Sequence, residues 1–123
     1  MELNEYQKKA METCMPSCDN FSYMMLNLVG EVGELASKVA KDIRKGNAVI
    51  GDIRNDITGI MQDDEEWEKR WEEYMYEAGD ILWQLAGLCN VMNWNLDFVA
   101  EMNLRKLASR KRRGVIDGNG DNR

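Results

Sequence analysis

Two pairs of carboxylates on separate predicted helices are the residues of this chain best suited to chemistry. Glu31 and Glu34 stand three positions apart in NLVGEVGELASKVAK, and Glu77 and Asp80 repeat the spacing in EAGDILWQLAGL. Residues three apart project from one face of a helix. Acids avoid apolar surroundings unless something pairs with them. Because apolar residues flank both pairs, the acids either escape along a narrow polar stripe or hold a cation.

The cation hypothesis depends on how the two helices pack. If they run antiparallel and share a core, the two acidic pairs can face one another. Four converging carboxylates would repel and raise each other's pKa values unless a cation neutralised them. Oxygen-only ligands suit Mg²⁺ or Mn²⁺. Gly33 and Gly79, each beside one pair, would allow a backbone or a ligand to approach closely. The alternative is that the acids are solvated surface charges.

The chain contains no histidine, and this narrows the possible chemistry. It excludes Ser-His and Cys-His nucleophile pairs, and it counts against a di-iron centre, which uses Glu-x-x-His pairs. Carboxylates, lysines or a metal would have to carry any reaction. We interpret the three cysteines, an odd number, as free thiols. A zinc site would need a carboxylate as its fourth ligand.

Basic residues near the end of the chain form a second candidate site. One face of a predicted helix, called here the basic row, carries Asn103, Lys106, Arg110 and Arg113. Arginine suits bidentate contacts, so the row has the spacing of a polyphosphate clamp. The alternatives are a solvated helix end that satisfies the helix dipole, or a nucleic-acid patch. The net charge of -6 argues against general nucleic-acid binding.

Two further details concern these polar faces. Lys38 and Lys41 extend the stripe of the first acidic pair. Asn103 also lies on the line from Val99 to Leu107, so we expect it to be partly turned towards the core.

Four helices are predicted to position these side chains, over about residues 2–13, 20–45, 64–93 and 96–113. Asn20 or Ser22 is the expected N-cap of the second helix, and Gly46 is its stop. Asn95 is expected to cap the fourth helix and Gly114 to close it. This pattern predicts an all-α fold of the four-helix-bundle type.

The chain is predicted to be a single domain, residues 1–123, since its length suits one core and its 44% hydrophobic content excludes a disordered chain. We interpret residues 46–62, GNAVIGDIRNDITGIMQ, as an inserted loop that forms a short strand pair, an extra helical turn or a dimer contact. The tail, residues 114–123, is expected to be mobile in the free protein. Without a signal peptide or membrane span in the sequence, the predicted location is the cytoplasm.

Three stretches resemble a known family. GEVGEL, EAGDILWQLAGL and LDFVAEMNLRKLASRKRRGVIDGNGDNR resemble the MazG-like nucleoside triphosphate pyrophosphohydrolases, which are all-α enzymes. The family signature is E-x-x-E followed by E-x-x-D on the next long helix. The resemblance covers residues 22–45 and 74–123. The chain departs from the pattern in the longer gap between Glu34 and Glu77, which contains the predicted loop 46–62.

The resemblance implies magnesium-dependent hydrolysis of a (deoxy)nucleoside triphosphate to the monophosphate and pyrophosphate. It implies that the metal ligands are Glu31, Glu34, Glu77 and Asp80. One of these carboxylates, or a hydroxide on the metal, would activate water for attack on the α-phosphorus. The residues that would hold phosphates or sugar are Lys38, Lys41, Asn103, Lys106, Arg110 and Arg113, with the tail closing over them. Trp83 is either a base-stacking residue or a core tryptophan.

The apolar second helix needs cover on most sides, which predicts a homodimer that completes the bundle. The resemblance implies a homodimer or a homotetramer. We expect no membrane association and no stable nucleic-acid binding. The alternative functions are a nucleotide-binding or regulatory bundle without turnover, and a helical interaction module whose charges form only salt bridges.

Overall fold

The structure, a computed structural model, describes residues 1–46 and 64–123. These residues form four α-helices and a short 3-10 helix, with no strand among them. The α-helices are α1 (Leu3–Met11), α2 (Phe21–Arg44), α3 (Asp64–Val91) and α4 (Leu96–Arg112), and the 3-10 helix is Pro16–Cys18. The predicted all-α fold is confirmed. The predicted loop 46–62 lies, apart from Gly46, outside the described residues.

Helix ends follow the expected capping chemistry. The side chain of Asn20 accepts a hydrogen bond from the Tyr23 N–H at 2.8 Å, so Asn20 rather than Ser22 is the N-cap of α2. Asn95 accepts from the Phe98 N–H at 2.8 Å at the start of α4. Past the other ends, Gly46 and Gly114 have positive φ angles of 75° and 70°. Glycine adopts this left-handed conformation readily, which explains why both helices stop there.

Helices α2 and α3 pack antiparallel. Met24, near the start of α2, lies against Gly87 in the last part of α3. Asp42, near the end of α2, contacts Arg70 and Tyr74 in the first half of α3. The prediction that the two acidic pairs face one another requires this antiparallel packing.

A buried glutamine joins α1 to the turn between α3 and α4. The amide of Gln7 donates to the carbonyl oxygens of Ala86 at 3.2 Å and Trp94 at 2.9 Å. Its oxygen accepts from the Leu96 N–H at 3.1 Å. Three backbone groups at the end of one helix and the start of the next are thereby satisfied, as buried polar groups require.

Trp83 provides a second link between α1 and α3. Its indole N–H donates to the carbonyl oxygen of Ala10 at 3.0 Å and to the hydroxyl of Thr13 at 2.9 Å. These contacts favour the interpretation of Trp83 as a structural residue over a base-stacking role.

The core formed by the described residues is small. Ala86, Cys89 and Leu96 form one buried cluster, with Tyr6, Met11 and Val99 packed around it. All three cysteines are free thiols, as predicted. By contrast, the outer face of α2 exposes 75% of Leu26 and 67% of Val29. No helix in the described ranges is long and apolar enough to cross a membrane.

We predict that Gly87→Ala destabilises the protein by about 1–3 kcal/mol, the usual cost of overpacking. A Cβ at Gly87 would fall far inside the van der Waals radius of the Met24 thioether, and Met24 is fully buried. The measurement is urea unfolding. Gly79→Ala on the same helix is the matched control, because a Cβ there meets nothing within 4 Å. It should gain about 0.5–1 kcal/mol from helix propensity. Equal stabilities of the two variants would contradict the packing described here.

Candidate metal centre

Three of the four predicted acids come together between α2 and α3. One carboxylate oxygen from each of Glu31, Glu34 and Glu77 lies within 4.8 Å of the others. We call these three residues the acidic cluster. The three-residue spacing on α2 supplies the first two from one face, and the antiparallel packing of α3 brings the third opposite them.

Asp80, the fourth predicted acid, is exposed and is not part of the acidic cluster. It nevertheless lies near enough to act electrostatically. The pKa of Tyr6 on α1 is raised by burial and then by the negative charge of Asp80. Asp80 also contributes to the raised pKa of Glu31. The negative charge of Asp80 is therefore felt both by the acidic cluster and by α1.

Burial and neighbouring negative charges both act on the carboxyl of Glu31 in the acidic cluster. Burial raises the pKa of Glu31, and the negative charges of Glu34, Asp80 and Glu77 raise it further. A hydrogen bond of 3.3 Å from the Asn27 amide partly offsets these effects by stabilising the ionised form. This is the mutual repulsion expected when carboxylates converge.

Lys38 supplies a positive charge in direct contact with the acidic cluster. Its ammonium lies 3.0 Å from Oε1 of Glu77. This hydrogen bond raises the pKa of Lys38, against the opposite effect of desolvation. Lys38 was predicted to hold phosphate, and in the structure it is the counter-ion of Glu77. Lys41, the other predicted lysine of α2, is exposed.

Glu77 requires a further hydrogen-bond or metal partner. The residue is buried, and its Oε2 has no hydrogen-bond partner in the part of the chain that the structure describes. An ionised oxygen left unpaired in a protein interior is costly. Three carboxylates with one such oxygen match the all-oxygen ligand sets of hard divalent cations. The donor set of the acidic cluster therefore fits a cation such as Mg²⁺.

The two glycines beside the acids have open space around them. A Cβ at Gly33 or Gly79 would meet no atom of the described chain within 4 Å. Among the described residues, no other backbone approaches these glycines closely. The expectation that a ligand approaches them stays a prediction.

The basic row does not contact the acidic cluster in the described structure. Lys106, Arg110 and Arg113 instead contact oxygen atoms of residues 120–123 in the tail. The hydrogen bond from Arg110, followed by the charge of Lys106, lowers the pKa of Asp121. The predicted mobility of the tail in the free protein stays a prediction.

Asn103 is exposed, so the expectation that it turns partly towards the core is wrong. Helix α4 packs through its first turns, where Leu96 is buried and Val99 lies against the core cluster. Further along, Leu104 and Leu107 are exposed as well. Helical periodicity identifies which face a residue shares, but it does not show how far along the helix the neighbouring elements extend.

The sequence analysis missed two residues, one near the site and one at the far end of the α2–α3 pair. Tyr6 lies close to Asp80, but it belongs to α1 and has no spacing relation to the acids. Asp42 contacts Arg70 and Tyr74 at the far end of the α2–α3 pair, and burial and this contact raise the pKa of Tyr74. Asp42 follows Lys38 by four positions, so extension of the polar stripe by one turn would have found it.

We predict that Glu31→Gln stabilises the metal-free protein at pH 7 by about 0.5 kcal/mol, the scale of a like-charge pair on one helix. Because its pKa is raised on folding, Glu31 makes the folded state less stable as the pH rises from the usual value of 4.5 through the raised value. The advantage should therefore disappear below pH 4.5, where the carboxyl is protonated in both states. Urea unfolding across this range, without divalent cations, makes the measurement.

Glu72→Gln is the matched control for this prediction, because Glu72 is an exposed acid on α3. Its effect on the free energy of unfolding should not show this pH dependence. A lower stability of Glu31→Gln at pH 7 would contradict the electrostatic description of the cluster.

Comparison with known proteins agrees with the geometry. A family model described as the MazG nucleotide pyrophosphohydrolase domain matches residues 19–115, a range that contains all four predicted acids. The chain is 36% identical over 130 aligned residues to the Gene 37 protein of Mycobacterium phage L5, and the alignment covers 100% of both chains. No solved structure matches the chain significantly. The chain belongs to the family of MazG nucleotide pyrophosphohydrolase domains.

Proposed function

We propose that this protein hydrolyses a (deoxy)nucleoside triphosphate to the nucleoside monophosphate and pyrophosphate, with Mg²⁺ as its cofactor. The observation that carries the proposal is that one carboxylate oxygen from each of Glu31, Glu34 and Glu77 lies within 4.8 Å of the others. The buried Oε2 of Glu77, which has no hydrogen-bond partner in the described residues, supports it. Membership of a family described by nucleotide pyrophosphohydrolysis supports the reaction type. The cytoplasmic location predicted from the sequence suits a protein that acts on free nucleotides.

The acidic cluster would hold the metal, with Asp80 as the fourth ligand. A bound divalent cation supplies charge neutralisation for the phosphates and lowers the pKa of a coordinated water. Mn²⁺ is the second candidate, since it also accepts oxygen ligands. One of the four carboxylates would accept the proton of the water that attacks the α-phosphorus.

The predicted cations would bind the leaving pyrophosphate. Lys41 is exposed on α2, beyond the acidic cluster. Lys38 would become available for a phosphate oxygen once its role as the counter-ion of Glu77 is no longer needed. The basic row would complete the clamp through Asn103, Lys106, Arg110 and Arg113. Such cations orient the substrate and stabilise the charge that develops in the transition state.

A second copy of the chain would complete this site. Within one chain, the basic row contacts the tail and the acidic cluster lies between α2 and α3. The exposed side chains of Leu26, Val29 and Val32 form an apolar face on α2 beside the first acidic pair. Contiguous apolar surface of this kind marks an interaction site. We therefore propose a homodimer or homotetramer, which the mass in solution, as a multiple of 14.2 kDa, would show.

We predict that the protein releases pyrophosphate from at least one member of a (deoxy)nucleoside triphosphate panel when Mg²⁺ is present. Glu34→Gln and Asp80→Asn should each lower this rate at least about 100-fold, because each removes a carboxylate ligand of the proposed metal. The assay measures pyrophosphate and nucleoside monophosphate together. The exposed Glu72→Gln is the matched control and should retain the wild-type rate.

Each other outcome has a defined meaning. Undiminished turnover in both variants would contradict the assigned site. No turnover with any nucleotide, together with magnesium-dependent thermal stabilisation by a non-hydrolysable nucleotide, would indicate the non-catalytic binding bundle. Absence of both effects would indicate an interaction module whose charges only form salt bridges.

A further inference from the structure

The tail is folded back on α4 by a specific backbone geometry. The Val115 N–H donates to the carbonyl oxygen of Arg110 at 2.9 Å, and the Gly114 N–H donates to that of Lys111 at 3.1 Å. This pair of bonds, with Gly114 at a positive φ angle, is the Schellman ending of a helix. The chain therefore reverses direction immediately after α4 instead of continuing away from it.

Two further glycines continue this reversal. Gly120 has a φ angle of +75°, a conformation that side chains other than glycine rarely adopt. At Gly118, a Cβ would lie 2.7 Å from Cδ of Arg123 and 3.1 Å from the carbonyl oxygen of Val115. The sequence RGVIDGNGDNR thus has glycine at the positions where this particular fold of the tail requires it.

The folded tail places oxygen atoms against every cation of the basic row. The carboxylate of Asp121 lies 3.1 Å from the guanidinium of Arg110 and 3.6 Å from the ammonium of Lys106. Arg113 donates to the backbone oxygen of Arg123 at 2.7 Å. Weaker bonds of 3.5 and 3.4 Å link Arg110 to the backbone oxygens of Gly120 and Asp121.

Arg110 is the centre of this contact. Only 5% of its side chain is exposed, whereas 87% of the Asp121 side chain is exposed. The Nε of Arg110 is buried and has no hydrogen-bond partner in the described residues. The guanidinium is therefore covered by the tail but incompletely satisfied by it. A ligand with more acceptor oxygens in one plane would satisfy this fork better than a single carboxylate does.

We propose that the tail is an internal anion that occupies the polyphosphate clamp and must be displaced when the triphosphate binds. The proposal rests on the proposed function, because it assigns the basic row to phosphate binding. Asp121 offers one negative charge, whereas the polyphosphate of a nucleotide offers several. A triphosphate therefore displaces the tail more readily than a monophosphate, so the tail makes the clamp selective for polyphosphates.

The test uses inorganic tripolyphosphate, an anion with no base or sugar, and the full-length protein. Asp121→Asn removes the competing charge and should tighten binding about three- to tenfold in isothermal titration calorimetry, as expected for the loss of a charge-assisted contact. Asp117→Asn is the matched control, because it makes the same charge change at an exposed residue of the same tail, whereas the carboxylate that contacts Lys106 and Arg110 is that of Asp121. It should bind tripolyphosphate like the wild type.

Hydrogen exchange distinguishes displacement of the tail by the ligand from closure of the tail over the ligand. Saturating tripolyphosphate should speed amide exchange of residues 117–123, because the tail leaves the clamp. Slower exchange there would show that the tail closes over the ligand and would overturn the proposal. Equal or weaker binding by Asp121→Asn relative to Asp117→Asn, or no binding by any variant, would overturn it too.

The pyrophosphate-release assay on the wild type keeps the two proposals distinct. Turnover by the wild type without tighter binding by Asp121→Asn would refute the internal anion and leave the proposed function intact. Displacement of the tail by tripolyphosphate without turnover of any nucleotide would refute the proposed function, while the clamp and its internal competitor would stand.

Discussion

Negative charge held between two antiparallel helices is the interaction on which the rest of this structure depends. Glu31, Glu34 and Glu77 converge in a partly buried site, and Lys38 contacts Glu77 there. Carboxylates in such a place destabilise the fold unless a cation accompanies them. Clusters of residues that destabilise the fold are typical of functional sites, because selection for stability alone would replace those residues. The raised pKa of Glu31 and the unpaired oxygen of Glu77 are two signs of this one imbalance.

The remaining contacts of the bundle hold these acids in position. Met24 packs against Gly87 on one side of the cluster, and Asp42 contacts Arg70 on the other, so the α2–α3 pair is fixed beyond both ends of the site. Gln7 and Trp83 attach α1 along α3 by hydrogen bonds to backbone groups. Because these attachments lie on helices, the acids are placed by rigid elements, as a preorganised site requires.

Much of this arrangement could be predicted from sequence, since it depends on local rules. Residues within one or two helical turns determine three of its features: the capping role of Asn20, the end of α4 at Gly114, and the common face of Glu31 and Glu34. The prediction that the two acidic pairs face one another needed one additional assumption, that the two helices pack antiparallel.

Features that depend on tertiary distance could not be predicted in this way. The exposure of Asn103 depends on where α4 leaves the core, and the pairing of Lys38 with Glu77 depends on the register of α2 against α3. The contact of Asp121 with Arg110 depends on the reversal of the chain after α4. The sequence shows the glycines that allow this reversal, but it does not show which residues the reversed tail contacts. Sequence periodicity identifies which residues share a helix face. The three-dimensional structure is needed to show which charged residues two such faces bring together.

Titration of the metal-free protein with Mn²⁺, followed by the loss of the free-ion electron paramagnetic resonance signal, tests the central claim most directly. The wild type should bind Mn²⁺ saturably, Mg²⁺ should compete, and Glu77→Gln should abolish the binding, because Glu77 supplies the buried oxygen that has no other partner. Saturable binding that survives in Glu77→Gln, or no binding by the wild type, would contradict the assignment of the acidic cluster as a metal centre.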